Sequence, residues 1–155
     1  MSSARMTDPN PGERRFESTF VTMTVGGQMC GIPVLSVRDV IETQAMTRVP
    51  LAPSEVAGSL NLRGRIVTAI DLRRRLDLPP RDATQVRMSV VIERQGELYS
   101  LMVDSVQEVV NFNGQRLDPN PSTLPAKWRE LSIGIYQLNS ELLIVLDTER
   151  VLTFS

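Results

Sequence analysis

Short runs of alternating apolar and polar residues, each closed by a glycine or proline turn, extend along nearly the whole chain. Such period-two patterning places successive side chains on opposite faces of an extended strand. Residues 16–25, rich in Phe, Val and Thr, read as a first strand. Gly26-Gly27 reads as a hairpin turn, with 28–33 as the returning strand ended by Pro33. Residues 37–47 form a longer strand-like segment, followed by a loop marked by Pro50, Pro53 and Gly58. Residues 60–62 and 65–70 flank a tight turn at Arg63-Gly64, and 72–78 read as a helical turn stopped by Pro79-Pro80. Beyond that boundary come a hairpin over 86–93 and 98–103 around Gln95-Gly96, a strand over 106–112, and a polar loop over 113–127. A last hairpin over 131–138 and 142–146 and a closing helical turn over 148–154 complete the chain.

The pattern repeats weakly. Val37-Arg38-Asp39-Val40-Ile41 matches Val106-Gln107-Glu108-Val109-Val110, and Leu62, Ile66, Val67, Ile70 and Asp71 match Leu138, Leu142, Leu143, Leu146 and Asp147. Short strands must close on themselves to hide their edges, so two small barrels are the economical solution. Each half lies near the lower size limit for independent stability, so a core shared between the barrels is expected. The expected division is a lead-in over residues 1–15, a first barrel over about 28–80, and a second over about 81–155 joined by the strand at 16–25. The lead-in is polar, holds Pro9, Pro11 and Gly12, and reads as disordered.

Composition excludes several function classes. The 155 residues include no histidine, which removes the commonest general base and zinc ligand and the phosphate-accepting side chain of two-component kinases. Net charge is −1, so no overall basic field argues for nucleic acid. Arg73-Arg74-Arg75 reads as a solvated helical turn rather than a basic patch, since no aromatics interleave it. Cys30 is the single cysteine, forms no intramolecular disulfide, and sits in an apolar strand as a structural thiol. No run approaches the ~18 apolar residues of a membrane span, so none is expected to cross a membrane, and the single cysteine fits a reducing cytoplasm. Asp71 and Asp147 superficially suggest a carboxylate pair, but they lack the following glycine of aspartic protease sites and read as caps on helical turns. Trp128 reads equally as a partner anchor or as a plug between barrels.

The segment Asn61-Leu62-Arg63-Gly64-Arg65-Ile66-Val67-Thr68-Ala69-Ile70-Asp71-Leu72 resembles the signature of the CheW family of bacterial chemotaxis coupling proteins. The likeness extends from about Phe16 to Leu152. It includes Cys30-Gly31-Ile32-Pro33, Val37-Arg38-Asp39-Val40-Ile41, Val103-Asp104-Ser105-Val106-Gln107-Glu108-Val109 and Leu142-Leu143-Ile144-Val145-Leu146-Asp147. The resemblance implies an all-β fold of two SH3-like five-stranded β-barrels packed through a shared hydrophobic interface. It also implies a scaffold without catalytic activity or cofactor, bridging chemoreceptor tips and the regulatory domain of a CheA-type histidine kinase. Its receptor face would hold Val37, Asp39, Gly58, Arg63 and Ser100, with Arg63 at the signature arginine; its kinase face would hold Val86 and Val91. Thr68, Leu76 and Ser100 depart from the family's frequent proline, aromatic and glycine. A small-molecule-binding barrel, or an adaptor of a non-flagellar pathway such as twitching, is the alternative expectation.

Overall fold

The structure is a computed structural model that describes residues 18–80 and 87–153. Its strands are β1 (Thr19–Val25), β2 (Gln28–Pro33), β3 (Val37–Glu42), β4 (Val56–Leu62), β5 (Arg65–Asp71), β6 (Met88–Arg94), β7 (Glu97–Val103), β8 (Ser105–Asn111), β9 (Ser132–Leu138) and β10 (Glu141–Leu146). Short helices α1 (Leu72–Arg75), α2 (Ala126–Leu131) and α3 (Thr148–Leu152) complete the described elements, with a 3₁₀ turn at Val34–Ser36.

Tight turns decide where the strands reverse. Gly26 and Gly27, Arg63 and Gly64, and Gln95 and Gly96 all have positive φ, the backbone that a two-residue hairpin turn of matching twist demands. Glycine accepts this conformation freely. Arg63 at φ 51° and Gln95 at φ 53° do not, and each costs about 1–2 kcal/mol.

The strands form two five-stranded sheets, ordered β8-β1-β2-β10-β9 and β3-β6-β7-β5-β4. The second order repeats the first. In each, an antiparallel hairpin (β1–β2 or β6–β7) lies beside a strand in parallel, the later β10 in one sheet with Cys30 opposite Ile144, the earlier β5 in the other with Val67 opposite Leu98. The architecture is two SH3-like β domains, as the alternating pattern and its repeat suggest.

The division between the sheets does not follow the sequence halves. Pro79-Pro80 lies between α1 and β6, whose flanking strands β5 and β6 belong to the same sheet. The first sheet takes β1 and β2 from the start of the chain and β8 to β10 from its end; the second is the continuous run from β3 to β7. An expected boundary between barrels at residue 80 is therefore corrected to crossings after β2 and after β7. Proline marks where a strand stops, but which edge the next strand joins is set by side-chain burial across sheets.

Three apolar clusters result. The shared one takes Val21, Met23, Cys30, Ile32 and Ile144 from the first sheet, Ile70, Val90, Ile92 and Leu101 from the second, and Leu72, Trp128, Leu131 and Val151 from the helices. Each sheet also keeps its own cluster: Leu60, Val67, Ala69, Val91, Leu98 and Met102 in the second, and Phe20, Phe112, Tyr136, Leu143 and Val145 in the first. Phe112 and Tyr136 stack with ring centres 4.2 Å apart, and Phe20 meets both edge-on or tilted. The strand expected over 37–47 stops at Glu42, and residues 43–55 form a loop touching β4 through a bridge between Thr47 and Ser59. Residues 126–131, read partly as loop, form α2; burial of Trp128 and Leu131 stabilises a turn that its neighbours' polarity disguises.

Gly58 and Gly134 occupy equivalent places on β4 and β9. A Cβ on Gly58 would stand 2.7 Å from the Thr47 carbonyl oxygen, and one on Gly134 would stand 2.7 Å from that of Asp118. Each glycine precedes a residue bridged to the crossing loop, Ser59 to Thr47 and Ile135 to Asp118. Gly58→Ala is expected to push the loop from β4 and lower stability by about 1–3 kcal/mol, measured by urea denaturation.

Candidate functional site

The β4–β5 hairpin ends at Arg63-Gly64, and the Asn61 side chain accepts the Gly64 amide at 2.9 Å, fixing the turn. The left-handed backbone at Arg63 aims its side chain off the sheet toward β3. There its Nη1 donates to Asp39 Oδ2 at 2.8 Å. The other Asp39 oxygen accepts the Val40 amide at 2.9 Å, beside a bulge between Val37 and Asp39. Asp39 thus satisfies one amide of an outer strand and presents Arg63 at the same time, which blunts that edge against strand addition. The Arg63 side chain remains 76% exposed against 25% for Asp39, so the pair contributes at most about 1 kcal/mol to folding. An exposed guanidinium held in place by a half-buried carboxylate is suited to recognition rather than to stability.

Neighbouring groups extend this surface. Arg65 Nη2 donates to the Gly96 carbonyl at 3.0 Å, tying the β4–β5 turn to the β6–β7 turn, and Arg38 pairs with Glu93 at 3.0 Å. Ile66 and Val40 lie exposed beside the charged pair, Ile66 with 68% of its surface open. Val40 is an apolar residue in the outward phase of β3, a signal visible in the alternation itself. Val109 holds the equivalent outward place on β8 and is also exposed.

The remaining expected site residues take different positions. Val37 is half-buried at the start of β3, opposite Ile92 of β6. Gly58 is buried under the Thr47 loop. Ser100 is 1% exposed, flanked across the sheet by Ala69 and Val91, so the added hydroxymethyl is absorbed inside the sheet. Val91 is also 1% exposed and belongs to the core of its sheet, so its side chain offers a partner no surface. Val86 lies outside the described residues. Arg63 and Asp39 are therefore brought together at the surface, Val37 stands near Asp39 on the same strand, and Gly58, Ser100 and Val91 are buried.

The arginine run forms the expected helical turn, but its side chains are engaged by the protein rather than left to solvent alone. Arg73 forms a fork on Asp104, Nε to Oδ1 at 2.9 Å and Nη2 to Oδ2 at 2.7 Å, and those bonds push its guanidinium up. Arg74 reaches Asp71 and the Ser54 carbonyl, while Arg75 bonds the carbonyls of Arg150, Val151 and Thr153 at the end of α3. Asp71 accepts the Arg73 and Arg74 amides, and Asp147 accepts the Glu149 amide; both cap helices, as their sequence setting suggests.

Cys30 is fully buried in the shared core, and burial, aided by the Asp104 charge, pushes its thiol far above the ordinary range. The native protein is expected not to react with a thiol reagent until it unfolds, checked by absorbance of the released chromophore with and without denaturant. Because the folded thiol holds its proton more tightly than the unfolded one, this group's contribution to stability is complete below the unfolded thiol pKa. It declines as pH rises above that value. Among the described residues no cluster of His, Cys, Asp or Glu is arranged to hold a metal ion. No described helix is long and apolar enough to cross a membrane.

The family model of the CheW-like domain matches residues 19–154. The chain belongs to the CheW family. It is 25% identical over 142 residues to a probable chemotaxis protein CheW of Rhizobium etli, covering 92% of this chain and 89% of that protein. It is 27% identical over 133 residues to the chemotaxis protein CheW of Helicobacter pylori, covering 86% of this chain and 80% of its relative. The crystal structure of the scaffolding protein TtCheW from Thermoanaerobacter tengcongensis superimposes with a TM-score of 0.79 at 22% identity, covering 96% of this chain and 92% of that one. CheW proteins are non-catalytic chemotaxis scaffolds.

Proposed function

We propose that this chain is a cytoplasmic adaptor coupling chemoreceptors to a CheA-type histidine kinase, recruited to membrane-associated receptor arrays. Its partners are the receptor's cytoplasmic tip and the kinase's regulatory domain, with no nucleic acid and no cofactor. The observation that carries the reading is Arg63, exposed on a rigid turn and held by Asp39 at 2.8 Å, within a chain of the CheW family. Asp39, Arg63 and Val37 make the receptor face, with Gly58 and Ser100 shaping the sheet beneath it. The kinase meets the sheet built on β6 at its outer strands, the Val91 side chain being buried within it. The paired sheets support a head-to-tail contact, because Val40 and Val109 present equivalent apolar positions on equivalent outer strands. Receptor state reaches the kinase through the two contacts of one small body.

Calorimetric titration against the isolated regulatory domain and a receptor-tip fragment from the same organism tests this. Arg63→Ala is expected to weaken receptor binding about tenfold, leave kinase binding unchanged, and shift folding stability by less than about 1 kcal/mol. Absence of kinase binding by the native chain would overturn the adaptor reading. Unchanged receptor binding by the variant would remove Arg63 from the receptor face.

A further inference from the structure

The loop between β3 and β4 is built at a cost that folding does not explain. Leu51 has φ 63° and is fully exposed, its relative accessibility being 104%. Leucine in that backbone region is strained, and glycine or asparagine would make the same bend at less cost. An apolar side chain held there gains nothing from the protein's own core. The loop around it is nonetheless fixed. Thr47 and Ser59 exchange backbone hydrogen bonds at 2.8 Å, Val56 donates to the Pro53 carbonyl at 2.9 Å, and Arg74 Nη1 holds the Ser54 carbonyl at 3.0 Å. Pro50 and Pro53 flank Leu51 and restrict the chain further. The tip is thus preorganised, which lowers the entropy lost when a partner closes over it.

Beneath the tip lies a cleft of about 1110 Å³, lined among others by Met46, Val49, Arg48, Arg74 and Arg87. Val49 is itself 38% exposed. Arg74 is already engaged by Asp71 at 3.5 Å. Among the described residues the guanidinium groups of Arg48 and Arg87 have no ion pair, and no Asp or Glu lines the cleft. An apolar tip over a cationic cleft is complementary to a chain segment that carries apolar and carboxylate side chains together. Free phosphate would satisfy the arginines but leave Leu51 and Val49 in water.

We propose that the β3–β4 loop and its cleft form a docking surface for an acidic amphipathic protein segment, with Leu51 as apolar anchor and Arg48 and Arg87 as its ionic partners. This surface is separate from the Arg63–Asp39 face, and the proposal does not depend on the receptor or kinase assignments.

Two fluorescein-labelled amphipathic helical peptides test it against the full chain by fluorescence anisotropy. Both carry leucine on one face; one has glutamate and the other lysine on the opposite face. The glutamate peptide is expected to bind saturably, and the lysine peptide at least about tenfold more weakly. Leu51→Gly is expected to cut binding of the glutamate peptide about tenfold while leaving the melting temperature equal or higher, because the left-handed strain is relieved. Arg48→Glu combined with Arg87→Glu is expected to cut binding of the glutamate peptide and strengthen that of the lysine peptide. Equal binding of both peptides, no binding of the glutamate peptide, or binding insensitive to both sets of substitutions would overturn the proposal.

Discussion

Replacing Trp128 by alanine is expected to destabilise the protein by about 3–5 kcal/mol, the largest effect of any single truncation considered. Trp128 sits on α2, 5% exposed, in the cluster that unites both sheets and the three helices. Leu124 before it and Leu131 after it point into the same cluster, where Leu76, Val151 and Leu152 also pack. Deleting the indole opens a cavity that cannot collapse without moving α2, which is braced at both ends. Its last residue, Leu131, accepts the Asp147 amide at 2.8 Å, and the Arg129 amide bonds the Pro125 carbonyl at 3.0 Å. Urea denaturation followed by far-ultraviolet circular dichroism measures the loss, since the tryptophan signal itself disappears. A loss below about 1 kcal/mol would instead assign Trp128 to the partner-anchoring role that its polar sequence neighbours suggest.

Arg73→Ala is expected to cost about 3 kcal/mol. The forked pair with Asp104 is partly shielded, with 21% and 18% of the two side chains exposed. Asp104 is the one residue between β7 of the second sheet and β8 of the first, and its Oδ2 also accepts the Gly26 amide at 2.8 Å from the β1–β2 turn. Arg73 also donates to the Pro79 carbonyl at 2.8 Å. The guanidinium therefore joins α1, the crossing between sheets and the first hairpin. Removing it leaves a shielded carboxylate short of its cation, which is worse than never having had the pair. Arg73→Lys keeps the charge but not the planar fork, and is expected to recover less than half of the loss. Urea midpoints of the native chain and both variants, read through Trp128 fluorescence, check the order. A lysine variant as stable as the native chain would show that charge alone, without geometry, holds the crossing.

Much of the local structure was legible in the sequence because it is set by neighbours along the chain. The turns at Gly26-Gly27, Arg63-Gly64 and Gln95-Gly96 fall where glycine follows or precedes an alternating run, since only a few residue types tolerate the required φ. The repeat between residues 37–41 and 106–110 identifies β3 and β8, which are the matching outer strands of the two sheets. Asp71 and Asp147 cap the matching helices. The likeness of Gly58 to Gly134 is part of the same repeat, but its meaning is a close approach by the Thr47 and Asp118 carbonyls, which alternation does not encode.

The candidate site was less legible. Arg63 is marked by its turn, but the Asp39 carboxylate reaches it from a residue far away in the chain; β3 and β4 are the opposite outer strands of their sheet, and only the curling of that sheet brings their ends together. The family resemblance puts Ser100 and Val91 on binding faces, yet each lies on a strand buried on both sides, β7 or β6. The run Arg73-Arg74-Arg75 reads as one charged patch, whereas each member faces a different acceptor.

By itself the sequence determined the strands, the hairpin turns, the duplicated pattern, the absence of histidine chemistry and the family. These depend on backbone preference, on period-two burial and on residue types, all of them local. Only the tertiary structure decided that β2 follows β1 into the sheet made with strands from the end of the chain, and that Trp128 closes the seam. It also decided that Asp104 binds Arg73 and that Leu51 stands strained and exposed above a cationic cleft. Hydrophobic burial is non-directional and specifies that an apolar face be covered, not which strand covers it; the choice is made by the packing of all the faces together.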